Sequence, residues 1–140
     1  MGWLTLMLDT TKWSGAEHAA AKAEIAVYKE QLRPLIREAR LYHVSARPDG
    51  MHWDGMEYLD SARQKGVLYA FRGTASDEAE HVFRLQGIRP NSDYRLHFQD
   101  GSNPDRTVRG QELLDSGLTM RLNAPNSSEL VFLEAIQRKP

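Results

Sequence analysis

From Leu41 onward the apolar residues of this chain recur at every second position, and that period of two confines the region to β architecture. In "GVLYAFRG", Val67, Tyr69 and Phe71 share one face, and in "HVFRL" Phe83 and Leu85 do. In "YRLHF", Tyr94, Leu96 and Phe98 alternate with Arg95 and His97; in "LTMRL", Leu118, Met120 and Leu122 alternate with Thr119 and Arg121. "ELVFLEA" is apolar in both phases, as a central strand is. Turn chemistry separates the runs: Arg89-Pro90-Asn91-Ser92, Asp100-Gly101, Ser116-Gly117 and Ala124-Pro125-Asn126. No helical pattern shows between them. The spacing predicts seven or eight strands between Leu41 and Ile136, with a polar edge strand near residues 106–108. The fold expected over residues 41–140 is an antiparallel, Greek-key-like β-sandwich, and the chain as a whole is mainly β.

Residues 1–40 follow a different period. "WLTLML", residues 3–8, is apolar on both faces apart from Thr5, which suits a strand buried on both sides. Ser14 and Glu17 have the S-x-x-E spacing of a capping box. Beyond it Ala21, Ile25, Tyr28, Leu32 and Leu35 fall four, three, four and three apart, one face of a helix. Pro34 lacks an amide hydrogen, so the helix should kink or restart near Arg33. A buried strand followed by an amphipathic helix is half of a β/α unit. Its missing neighbours suggest a piece of something larger. An unpaired "WLTLML" edge is sticky, so it is expected to pair with the sandwich or with a second copy, giving a homo-oligomer through the N-terminal strand and helix.

The totals exclude several classes. The 140 residues carry 18 basic and 19 acidic side chains, well mixed, with a net charge of −1. There is no basic stripe for nucleic acid and no Lys/Arg block for an anionic membrane. No apolar run approaches the ~20 residues of a membrane span. There are no cysteines, so disulfides, thiolate metal sites and cysteine nucleophiles are ruled out. The start lacks a basic n-region and an A-x-A-like cleavage site, so no signal peptide is read there. A soluble protein is expected, with its compartment left open.

The stretch "MHWDGMEYLD", residues 51–60, sets aromatics beside three carboxylates, Asp54, Glu57 and Asp60. That is the raw material of a glycosidase site, where two carboxyl groups face each other across a sugar at roughly 5–10 Å. The competing reading is a hairpin, in which Asp54-Gly55 makes a turn, Glu57 points to solvent, and Trp53 and Tyr58 pack on the sheet. Sequence neighbours on a turn rarely make an opposed pair, which favours the hairpin. The five histidines, His18, His43, His52, His81 and His97, show neither H-x-x-x-H nor H-x-H spacing. No metal and no cofactor is predicted, and no G-x-S-x-G or phosphate-binding glycine pattern occurs. Trp3, Trp13 and Trp53 are the candidates for a sugar platform: Trp3 lies in an apolar run and reads as core, Trp13 in a loop just before a helix cap is the best placed, and packing is the competing reading of such large aromatics.

Whole segments carry a more specific likeness. "AVYKEQLRPLIREARLYHV" is similar to the last barrel helix and exit segment of glycoside hydrolase family 36 and related melibiases, the α-galactosidases. "HWDGMEYLDSARQKGVLYAFRG" resembles an early hairpin of that family's C-terminal domain. "LQGIRPNSDYRLHFQDG" resembles its L-x-G-L-x-P-x-x-x-Y segment. "RGQELLDSGLTMRLNAPNSSELVFLEA" resembles its closing pattern.

The resemblance implies a (β/α)8 barrel followed by an antiparallel sandwich. Residues 1–40 would then be the last strand and helix of the barrel, and residues 41–140 the C-terminal domain. It implies a parent enzyme that hydrolyses terminal α-galactosides with retention, using two aspartates on earlier barrel strands. Those aspartates would lie upstream of Met1, so no catalytic residue is assigned to this chain. The chain is expected to be a non-catalytic domain that supports the barrel, inactive alone, and meeting carbohydrate only through the parent. "DTTKW" would follow the eighth barrel strand, placing Asp9 and Trp13 near the substrate pocket; alternatively they only shape the loop and pack on the rim. The second functional reading is an independent carbohydrate-binding module, with Trp53 as platform.

Overall fold

The computed structural model describes residues 9–75 and 78–136. The strand expected over residues 3–8 lies outside them. The chain divides into two compact units between Pro34 and Leu35.

In the first unit Asp9 caps a single 3-10 turn, Thr10–Lys12, and Ser14 opens helix α1 (Gly15–Val27). The capping box forms as its spacing predicts. The Glu17 carboxylate accepts the Ser14 N–H at 2.7 Å, and the Ser14 hydroxyl accepts the Glu17 N–H at 3.3 Å. Ala21, Ile25 and Tyr28 are half-buried and Leu32 is buried, as the helical stripe requires. Pro34 acts one turn earlier than a simple break. Residues Tyr28–Leu32 form a π turn, in which the Arg33 N–H reaches back to the Tyr28 carbonyl. The wider turn accommodates a proline that can neither donate to the carbonyl of Glu30 nor fit its ring against it. Helical geometry resumes as α2 (Arg33–Glu38).

The second unit is a two-layer sandwich. Strands β1 (Arg40–His43), β2 (Asp54–Asp60), β3 (Lys65–Arg72), β5 (Asp93–Phe98), β6 (Arg106–Arg109) and β8 (Ser127–Ile136) form one antiparallel sheet in the order β1-β2-β3-β8-β5-β6. Strands β4 (Glu80–Phe83) and β7 (Leu118–Arg121) pair as a second sheet. Among the described residues there are thus eight strands. β8 is central, between β3 and β5, and β6 is an edge, both as the apolar and polar patterns predict.

The core lies between the sheets. It takes Tyr94, Leu96 and Phe98 from β5, Val131 and Leu133 from β8, Leu118 and Met120 from β7, and Phe83 from β4. Strand β3 departs from simple alternation: Leu68 and Ala70 enter this core, while Val67 and Tyr69 on the opposite face are also buried. A short helix, α3 (Gly110–Asp115), stands between β6 and β7 and buries Leu113. The sequence pattern showed no helix there, because six residues are too few to display a period of 3.6.

Asp54-Gly55 is not a turn. Both residues are in β2, paired with Phe71 and Ala70 of β3. At Gly55 the layers approach closely: a β-carbon there would stand 2.4 Å from the Phe83 ring. The β2–β3 reversal falls instead at residues 61–64. It is capped by Asp60, whose Oδ1 accepts the amides of Ala62 and Arg63 and whose Oδ2 pairs with the Arg63 guanidinium at 2.9 Å.

Candidate functional site

The acidic and aromatic residues of β2 are distributed by the pleat. Asp54 and Asp60 share one phase and stand six positions apart, about 20 Å along the strand. Glu57 has the opposite phase. Three carboxylates placed this way cannot face each other across one sugar ring.

Each is also committed to protein groups. Asp54 accepts the Ser45 hydroxyl at 2.7 Å, and Asp60 holds the turn. Glu57, expected at the surface, is 0% exposed. Its Oε2 accepts the Gln86 N–H at 2.7 Å, and burial pushes its carboxyl up to about 7 despite that bond. A glutamate is normally a surface residue, but here the strand phase, not the residue type, decides its direction.

Trp53 is 9% exposed. Its indole N–H donates to the Glu78 carbonyl at 3.0 Å, the His81 ring stacks on it at 5.5 Å, and the Phe83 edge meets it at 6.1 Å. As a sugar platform it therefore presents little free ring. Tyr58 is buried and meets Tyr69 edge-on. Beside Trp53 lies a cleft of about 490 Å3 lined by Ser45, Ala46, His52, Trp53, Ala75, Glu78 and His81. Burial lowers the proton affinity of His81, and Glu78 partly opposes this.

In the first unit, Asp9 is exposed and accepts the Thr11 N–H at 3.1 Å, with the Lys12 ammonium 3.6 Å away. Thr11 is the main reason that its carboxyl sits below the ordinary range. Trp13 is half-buried, its ring 5.6 Å from that of His18. The two candidates occupy one short segment, four residues apart, and are not joined by a hydrogen bond to each other.

One buried acid escaped the sequence reading. Glu129, 1% exposed, accepts the amides of Asp100 at 2.8 Å and Leu130 at 2.9 Å through Oε1, and that of Ser102 at 2.9 Å through Oε2. The signal was present, since Glu129 shares the phase of Val131 and Leu133 and so must point inward. His97 is half-exposed and hydrogen-bonded to Asp105 at 2.7 Å. Among the described residues no cluster of His, Asp and Glu could hold a metal ion, and no helix is long and apolar enough to cross a membrane.

Comparison with known proteins gives one consistent family. The profile of the glycosyl hydrolase family 36 C-terminal domain matches residues 53–133, the span from Trp53 to the end of the core of β8. Among curated proteins, alpha-galactosidase 2 of Hypocrea jecorina is 27% identical over 111 residues, 79% of this chain and 14% of that protein. Alpha-galactosidase C of Emericella nidulans is 28% identical over 112 residues, again 79% and 14%. Among solved structures, GH36 alpha-galactosidase AgaA of Geobacillus stearothermophilus superposes with a TM-score of 0.76 at 24% identity, over 92% of this chain and 17% of that one. The alpha-galactosidase of Lactobacillus brevis gives 0.77 at 21%, over 95% and 18%. The chain thus spans about a seventh of the length of its curated relatives, and the solved structures share its fold. The family match covers more than half of the chain: it belongs to the glycosyl hydrolase family 36 C-terminal domain family.

Proposed function

We propose that this chain serves as the non-catalytic C-terminal domain of an α-galactosidase-like glycoside hydrolase, bracing a (β/α)8 barrel that performs the reaction. The observation that carries this is the fate of the carboxylates. Glu57 and Glu129 are inside the sandwich, and Asp54 and Asp60 are bonded to Ser45 and to the β2–β3 turn. These acids organise a scaffold and do not form an acid–base pair. The hydrolysis of terminal α-galactosides would fall to two aspartates on earlier barrel strands, acting as nucleophile and acid/base.

On this reading residues 1–40 are the last barrel strand and helix. Asp9 and Trp13 then belong to a loop at the C-terminal end of a barrel strand, where such enzymes bind substrate. Carbohydrate is met through the whole enzyme, and the N-terminal strand and helix supply contacts to the barrel or to a second copy. The test is Trp53→Ala in a complete enzyme carrying this domain. Lost packing on Phe83 and His81 should lower the temperature of inactivation while KM for a chromogenic α-galactoside stays unchanged. A raised KM with unchanged thermal inactivation would reject the supporting role.

A second reading, an independent carbohydrate-binding module, draws on the cleft beside Trp53 with its imidazoles, carboxylate and hydroxyl. It requires that titration with galactose or raffinose changes the tryptophan fluorescence of the chain. An unchanged spectrum at tens of millimolar sugar rejects it.

A further inference from the structure

Glu57 occupies the middle of β2, opposite Tyr42 of β1 and Leu68 of β3. It has no exposed surface, and while Oε2 accepts the Gln86 amide, Oε1 has no hydrogen-bond partner. Among the described residues no ion pair includes it.

Several charged and titratable groups of its own strand and of the neighbouring elements have other partners, while the Tyr94 hydroxyl senses its charge. On its own strand Asp60 is held by Arg63. From β3, Lys65 pairs with Glu134 and Arg72 donates to the Leu122 carbonyl. From the segment joining β4 to β5, the Arg84 guanidinium donates to the Asp115 carbonyl and that of Arg89 to Ser61. From β5, the Tyr94 hydroxyl accepts the Arg89 amide and donates to Gln64. The Tyr42 hydroxyl of β1 lies beside Gly87. A fully buried site with one amide donor and, among the described residues, no ion-pair partner favours a neutral carboxyl over a carboxylate, because an unpaired buried charge costs far more than an unpaired neutral oxygen.

We propose that folding of this sandwich is proton-linked through Glu57, which enters the core as the neutral acid and, on ionising, destabilises the closure of the β4–β5 connection over the six-stranded sheet. Burial raises the carboxyl from 4.5 to about 7. The folded state therefore binds the proton more tightly than the unfolded chain. Its stabilising effect is complete below pH 4.5, declines as pH rises, and is gone above about 7. His81 works in the opposite direction, since its lowered proton affinity adds stability as pH rises through the histidine range. Only the difference between wild type and a Glu57 variant isolates the effect.

The experiment is urea unfolding of the 140-residue chain and of Glu57→Gln at pH 5, 6, 7 and 8. The ratio of their folding constants should fall by about 70-fold from pH 5 to pH 8, the wild type losing ground. A ratio constant within about threefold overturns the proposal. Independently of how the variant folds, the Glu57 carboxyl of the wild type is also titrated by carbon NMR. A midpoint near 7 supports the proposal, and one at or below 4.5 overturns it regardless of the variant.

Discussion

Replacing Glu129 by alanine should be among the costliest single changes in this chain. The side chain is 1% exposed and collects three backbone amides, those of Asp100, Ser102 and Leu130, at 2.8–2.9 Å. Two of them belong to the turn between β5 and β6. A hydrogen bond to a charged group contributes about 1.5–3 kcal/mol net. The two turn amides can partly rehydrate once the carboxylate is gone, so the sum is about 3–5 kcal/mol for Glu129→Ala. Glutamine keeps one carbonyl oxygen but turns an NH2 toward an N–H, so Glu129→Gln should cost about 2 kcal/mol. Urea unfolding at pH 7 reads both, provided the dependence on denaturant keeps its slope. Amide exchange at Asp100 and Ser102 should accelerate beyond the change in global stability, since the turn itself loses its anchor. An alanine variant within about 1 kcal/mol of wild type would refute the view that this carboxylate holds the turn.

Three smaller predictions follow from other contacts. Gly110→Ala would place a β-carbon 1.9 Å from the Arg89 carbonyl oxygen and 3.1 Å from that of Ser92. Backbone atoms cannot swing aside, so the melting temperature should drop by the equivalent of about 2–3 kcal/mol. Tyr94→Phe leaves the Arg89 amide and the buried Gln64 side chain without their shared hydroxyl, costing about 1–3 kcal/mol by urea unfolding. Asp105 is held below the ordinary carboxylate range by the Phe98 amide first and by His97 second. Its stabilising effect is thus present above pH 3.8 and lost as pH falls. Asp105→Asn should flatten the acid limb of the stability curve, and an unchanged limb would assign acid sensitivity to other groups.

Much of the sandwich was legible because its strands obey simple chemistry. β5 alternates strictly, β8 is apolar in both phases and proves central, and the Ser14–Glu17 spacing closes its capping box. Legibility failed where two rules conflicted. Asp54-Gly55 carries turn chemistry, yet the strand runs through it because only glycine lets the Phe83 ring press on β2. Glu57 carries surface chemistry, yet the pleat turns it inward between Gly55 and Leu59. β3 is buried on both faces, so its alternation could not say which face meets the core. At Pro34 the missing amide was visible, but the response, a π turn upstream at Tyr28–Leu32, depends on how the helix distributes strain. Asp9 was named by its position in a resemblance and Trp13 also as a possible sugar platform, and their own geometry, a capped turn and a Trp13–His18 contact, is that of a formed loop.

Turnover by the chain alone tests the proposal that it is a scaffold and not the catalyst. The purified 140-residue chain, shown to be folded by circular dichroism, is incubated at micromolar concentration with a chromogenic α-galactoside. A scaffold domain releases chromophore no faster than the buffer blank over many hours. Release that scales with chain concentration, co-elutes with the chain and disappears when Asp54, Glu57 or Asp60 is replaced would contradict it and would place the chemistry in β2.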